Sequence, residues 1–248
     1  MRRPRPGQLA AALTAAVALA AAALAVVLSL GGDGSAAGGA ADGAPAVQAG
    51  VAGAPITLPE PEPEPPEPPP VHYRTSIALG LPHAGRLVRG TQLPVSGRHF
   101  RTWDPILRRV GSRGWRRHAT DDMVRMVLAV ARRYARSEPR ALPMLVGDLS
   151  RTRGGDFGPQ YGFVGHSTHQ NGLDADVYYP RRDGRQRVPK TVAQVDRRRA
   201  QRLVDLFVAA GAETVLVGPN VGLSGPPGVV KPYPNHDNHL HVRIRNPG

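Results

Sequence analysis

Cysteine is absent from the 248-residue chain, which excludes disulfide staples, thiolate metal sites and cysteine nucleophiles together. Lysine is scarce, with two residues against thirty arginines. None of the nine serines is followed three residues later by lysine, so the Ser-x-x-Lys nucleophile of penicillin-binding serine enzymes is missing. The His-Glu-x-x-His motif of many zinc proteases is missing too, and no internal repeat is present. The net charge is +13. No dense basic block interleaves with aromatics, however, so the charge reads as an arginine-rich solvated surface and not as a nucleic-acid footprint.

Composition divides the chain in three. Arg2, Arg3 and Arg5 precede an apolar run from Leu9 to Leu30, broken only by Thr14 and Ser29. As a helix this run would span about 33 Å, enough for a bilayer core. Residues 1–30 are therefore predicted to be a membrane anchor or a signal peptide. For the second reading, Ala44-Pro45-Ala46 offers a small-residue cleavage site. Either device exports the remainder and leaves the arginines inside. Residues 31–70 form a linker, first Gly/Ala-rich and then alternating Pro with Glu60, Glu62, Glu64 and Glu67, a composition that favours extended polyproline II. Residues 71–248 are the right size for one domain with its own core.

That domain reads as α+β. Thr120 is a helix N-cap, Asp121 and Asp122 favour the first turn, and Met123, Val124, Val127, Leu128, Ala131 and Tyr134 recur at helical spacing until Pro139. A second helix is predicted from Thr191 to Ala210. Strands are predicted at Met144–Leu149, Leu173–Tyr179, Glu213–Val217 and His239–Arg245. A Gly-rich loop covers Arg151–Gly165, and Asp148 and Asp156 beside it read as turn residues.

Five of nine histidines fall in two short segments, Gly165-His166-Ser-Thr-His169-Gln-Asn-Gly-Leu-Asp174-Ala-Asp176 and His236-Asp-Asn-His239-Leu-His241. The two-residue period of a strand places His239, His241, Arg243 and Arg245 on one face and Leu240, Val242 and Ile244 on the other. The same alternation sets Asp174 and Asp176 together. Imidazole and carboxylate are the ligands of catalytic zinc where thiolate is lacking, and three protein ligands leave a fourth position open. Either cluster alone reads better as ordinary surface or hydrogen-bonded histidines. Together, with carboxylates on the adjoining strand, they point to a metal.

These segments resemble the LAS metallopeptidases, which share a His, an Asp seven residues on and a distal His-x-His. More closely, the chain looks like the penicillin-insensitive murein endopeptidases. Gly85-Arg-Leu-Val-Arg-Gly90, Gly147-Asp-Leu-Ser150, Gly154-Gly155 and His236-Asp-Asn-His-Leu-His-Val-Arg243 extend the likeness from about Ile77 onward. The resemblance implies a single LAS-like domain with a central antiparallel sheet and flanking helices. It implies Zn2+ bound by His169, Asp176 and His241. It also implies a catalytic His239 beside the metal, with His236 and His166 in the same site. Better-known members use disulfides, and Asn246 stands where they have cysteine. Zinc lowers the pKa of its bound water and polarises the scissile carbonyl, while His239 either activates water or stabilises the oxyanion. Asp174 orients a ligand histidine or serves as a structural acceptor. The implied activity is a periplasmic or envelope D,D-endopeptidase acting on peptidoglycan stem peptides at D-alanyl–diaminopimelyl cross-links. A D,D-carboxypeptidase and a non-catalytic peptidoglycan-binding module are the alternatives. The partners implied are peptidoglycan and, if the apolar segment is retained, the membrane; no nucleic acid is implied.

Overall fold

The computed structural model describes residues 70–158, 161 and 167–247. The apolar segment, the linker up to residue 69 and His166 lie outside the described residues. Among the described residues no helix is long and apolar enough to cross a membrane.

In chain order, β1 (Ile77–Leu81), β2 (Ala84–Val88), β3 (Thr91–Gln92), β4 (Ser96–Gly97), β5 (Phe100–Asp104), β6 (Arg109–Val110) and β7 (His118–Ala119) precede α1 (Asp121–Ser137). Then come β8 (Met144–Val146), β9 (Asp174–Tyr178), α2 (Arg197–Ala209), β10 (Thr214–Val217), β11 (Val230–Pro232) and β12 (His239–Arg243). The four predicted strands are present, three of them shorter at one end and Asp174–Tyr178 at both. The first helix is as expected: Thr120 caps it by accepting a hydrogen bond from the Met123 amide at 3.3 Å, and Met123, Val124, Val127, Val130, Ala131 and Tyr134 are its buried stripe. The second is not continuous from Thr191. A single 3-10 turn at Val192–Gln194 ends in extended backbone at Val195, and Asp196 starts α2 afresh by accepting from the Arg199 amide at 3.1 Å. A bridge between Val195 and Arg181 holds the break open.

Eight strands make the main sheet, in the order β11-β10-β12-β9-β8-β5-β4 with β6 added to β5. The expected antiparallel sheet is in fact mixed. β10–β12, β12–β9 and β9–β8 are antiparallel, but β5–β8 and β10–β11 are parallel. The reason is connectivity. The chain leaves β5 and returns to β8 by way of α1, and a crossover of that length delivers a parallel neighbour. Alternation within a strand carries no information about such crossings.

One face of the sheet is covered by the helices. Ala175, Val177, Val215, Leu240 and Val242 share a buried core with Met123, Val127, Leu203, Val204 and Phe207. Packing of this kind contributes roughly 1.5–3 kcal/mol for each fully buried aliphatic side chain. Strand alternation then sends Asp174, Asp176, His239, His241 and Arg243 to the opposite face, so among the described residues the polar groups of β9 and β12 share the surface away from the helices.

Beside α1 sits a buried histidine. His118 is 9% exposed, and burial, followed by the charges of Arg117 and Arg74, pushes its pKa from 6.5 down to about 4. A hydrogen bond from the ring to the Gly114 carbonyl only partly opposes this. The unfolded chain takes up a proton as pH falls below 6.5, whereas the native protein does so only near 4. The contribution is therefore intact above pH 6.5 and is lost as pH falls through that window, by about 3 kcal/mol at most. Urea midpoints at pH 7 and pH 5 are expected to separate more widely for the wild type than for His118→Gln; equal separations would remove His118 as the cause.

Candidate metal centre

His169, Asp176 and His241 meet on the uncovered face. Nε2 of His169 lies 3.1 Å from Nδ1 of His241 and 3.3 Å from Oδ1 of Asp176, and the last edge, His241 Nδ1 to Asp176 Oδ1, is 3.1 Å. Ligand atoms 2.0–2.2 Å from a tetrahedral zinc lie about 3.3–3.6 Å from one another. The triangle matches that spacing within a few tenths of an ångström. Two of its vertices are set by register, since His241 stands directly opposite Asp176 in the β9–β12 pairing. The third comes from a loop residue held at φ 69°, a left-handed conformation that costs a non-glycine residue energy and recurs at functional sites.

Asp174 explains how both histidines are held. It accepts from the backbone amide of His169 at 3.1 Å, pairs with Nε2 of His241 at 3.0 Å, and accepts from Nε of Arg243 at 2.6 Å. With its proton donated to Asp174, a neutral His241 turns the Nδ1 lone pair toward the same point as a carboxylate oxygen. Two such acceptors are brought together favourably by a proton or by a metal cation between them. Of the two readings of Asp174, the geometry favours the orienting one.

The electrostatics agree. Burial pushes the Asp174 carboxyl up, but the hydrogen bond from His241, the charges of His241 and His169 and the bond from Arg243 hold it well below the usual carboxylate range. Asp176 is likewise held down against burial, by His169 and His239. Burial alone would lower His241, yet the two carboxylates raise it to about 9, so a metal at the triangle would take the place of the Nδ1 proton. A pocket with two ionised carboxylates and three convergent N/O donors suits a divalent metal.

His239 sits at the edge of this triangle, its Nε2 3.7 Å from Oδ1 of Asp176 and its Nδ1 hydrogen-bonded to Oδ1 of Asn238 at 2.6 Å. His236 stacks on it with ring centroids 4.7 Å apart and donates from Nδ1 to the Pro234 carbonyl at 2.7 Å. Both partners are acceptors, so both rings carry their proton on Nδ1 and leave Nε2 basic when neutral. The site opens into a cleft of about 1220 Å³ whose apolar wall includes Trp103 and Tyr178, packed edge to face at 6.5 Å.

Several supporting groups escape a sequence reading. Asp237 accepts from the Asn220 backbone at 3.2 Å and its side-chain amide at 2.7 Å, fixing the turn that carries His236 and His239. Gly218 lies against that turn: a Cβ there would stand 2.6 Å from the Asp237 Cα and 2.7 Å from the His236 carbonyl. Asp148 is no turn residue. It is 1% exposed and takes both arms of a buried Arg116 guanidinium, which also bonds the Tyr161 carbonyl at 3.1 Å and faces the Trp115 and Phe157 rings. The backbone of the same residues, Gly147 and Asp148, hydrogen-bonds Asp176 at 2.8 and 2.9 Å. Nothing local in the sequence links Arg116 to the site, because its partners lie 32 and 45 residues away. Asn246 reaches the Ala78 carbonyl at 3.5 Å, a polar tether to β1.

No curated protein matches the chain. Residues 78–215, more than half of its length, match the family of penicillin-insensitive murein endopeptidases. The matched span includes His169 and Asp176 and stops short of His236, His239 and His241. By this match over more than half of its length, the chain belongs to the penicillin-insensitive murein endopeptidase family.

Proposed function

We propose that the chain is a zinc-dependent D,D-endopeptidase of the cell envelope that hydrolyses D-alanyl–diaminopimelyl cross-links between stem peptides. The observation that carries this reading is the convergence of His169 Nε2, Asp176 Oδ1 and His241 Nδ1, with a third histidine, His239, 3.7 Å from the Asp176 carboxylate oxygen. When bound, zinc supplies Lewis acidity, bringing the pKa of water toward 7 and polarising a carbonyl.

The remaining steps belong to the chain's own groups. His239, fixed by Asn238 in the tautomer with a free Nε2, takes the proton from the attacking water and then returns it to the departing amine. As imidazolium in between, it places positive charge beside the developing oxyanion. His236, stacked on His239, keeps that ring from swinging into the cleft. Asp174 holds His241 and the His169 backbone so that neither ligand rotates away. Trp103 and Tyr178 give the alanyl side of the substrate an apolar wall. The proposed envelope location follows from where cross-linked murein is found, and the export segment predicted at residues 1–30 fits it.

The test is mass analysis of muropeptides after digestion of purified sacculi. Cross-linked dimers are expected to disappear and intact monomers to accumulate. A chelator is expected to abolish the activity, and a labelled penicillin to leave the protein unmodified. Release of one alanine per stem with dimers intact would replace this reading with a carboxypeptidase. Binding to sacculi with no change in muropeptides would replace it with a binding module.

A further inference from the structure

We infer that Arg108, Arg187 and Lys190 form a carboxylate-reading wall of the cleft, so that the chain prefers cross-linked peptides bearing free carboxylates to their amidated counterparts. The inference rests on the murein endopeptidase reading above and adds to it a basis for choosing among substrates.

Among the described residues lining the cleft, Asp176 is the single carboxylate, and it is 3% exposed and committed to the donor triangle. Arg108, Arg187 and Lys190 line the same cleft and are exposed. Several arginines of the domain, Arg243 of the same cleft among them, are held by carboxylates. Arg113 is paired with Asp104, Arg181 and Arg185 with Asp183, Arg198 and Arg199 with Glu138, and Arg243 with Asp174. No such pair is made by the three cleft cations among the described residues.

The loops carrying these cations are nevertheless fixed. Asp104 accepts from the amides of Ile106 and Leu107 at 3.0 and 2.9 Å, which sets the turn bearing Arg108. On the other loop, Gln186 donates to the Pro143 carbonyl at 2.9 Å. Gln194 accepts from the Lys190 amide at 2.8 Å and from Arg181 at 2.5 Å. Cations without protein partners, held on braced loops around a cleft with no competing accessible carboxylate, are arranged for an anionic ligand. The substrate supplies one: a diaminopimelyl residue is a dicarboxylic acid, and the carboxylate next to its acylated amine remains free beside the scissile bond. A carboxamide keeps the shape and loses the charge.

Two cross-linked peptide dimers, alike except for carboxylate or carboxamide on the diaminopimelyl residue, provide the test. With the zinc-loaded full chain, amidation is expected to lower kcat/KM about tenfold, mainly through KM, as loss of a few solvent-exposed ion pairs would. In Arg108→Gln/Arg187→Gln/Lys190→Gln the ratio between the two dimers is expected to fall to within about twofold. Equal kcat/KM for both dimers in the wild type, or an undiminished preference in the triple variant, would overturn the inference. Fluorescence anisotropy of dye-labelled, uncut dimers on chelator-treated protein separates this from the parent reading. A tenfold Kd preference that vanishes in the triple variant supports the wall even if neither dimer is ever cleaved, and equal Kd values reject it.

Discussion

His169→Ala and Asp176→Ala are each expected to lose bound zinc and murein hydrolysis together. Activity should fall by about 10³-fold or more, because several kcal/mol of transition-state stabilisation leave with the metal. The expectation follows from the donor triangle, whose edges are 3.1, 3.3 and 3.1 Å. Zinc content by atomic absorption and dimer cleavage by chromatography should therefore drop in parallel across the two variants. Far-UV circular dichroism should overlay that of chelated wild type, since Ala175, Val177, Leu240 and Val242 on the covered face of the same strands are untouched. Full zinc occupancy in either variant would show that the triangle is not the metal site.

His239→Ala is expected to separate the two properties. It should keep close to one zinc per chain and lose about 10²–10⁴-fold in kcat, the range for removing a positioned acid–base group. The structural ground is its place beside the triangle: its Nε2 is 3.7 Å from the shared carboxylate oxygen, and its Nδ1 is engaged by Asn238. Asn238→Ala should give a smaller loss of the same kind, because the ring then reaches its working tautomer only part of the time. An empty site in His239→Ala together with a filled one in His241→Ala would mean that the two histidines exchange roles.

Most of the site was legible in the sequence because strand alternation is a local rule. His239 and His241 alternate with buried Leu240, Asp174 and Asp176 alternate with buried Ala175, and both predictions survive folding. The first helix was legible for the same reason, since its cap, its acidic first turn and its apolar stripe lie within one segment. What escaped depends on contacts far apart in the chain. The parallel pairing of β5 with β8 is decided by the path through α1. The break before α2 is decided by a bridge from Val195 to Arg181. Asp148 looked like a turn residue because its neighbours are glycine and serine-rich, whereas its partner Arg116 is 32 residues earlier. His169 showed its place in the His-x₆-Asp spacing, but not the strained backbone that aims it.

The register that puts His241 opposite Asp176 has a consequence for the order in which the protein comes into being. β12 is the last strand of the sheet, and it enters between β9 and β10, which are already in the chain. A growing polypeptide that has passed residue 176 holds two donors and an unfilled strand position, and its third donor arrives 65 residues later. No N-terminal fragment that stops before β12 can assemble the donor triangle. On the proposed reading, a chain that cuts the wall of its own cell would gain the last part of its site only when its final strand joins the sheet.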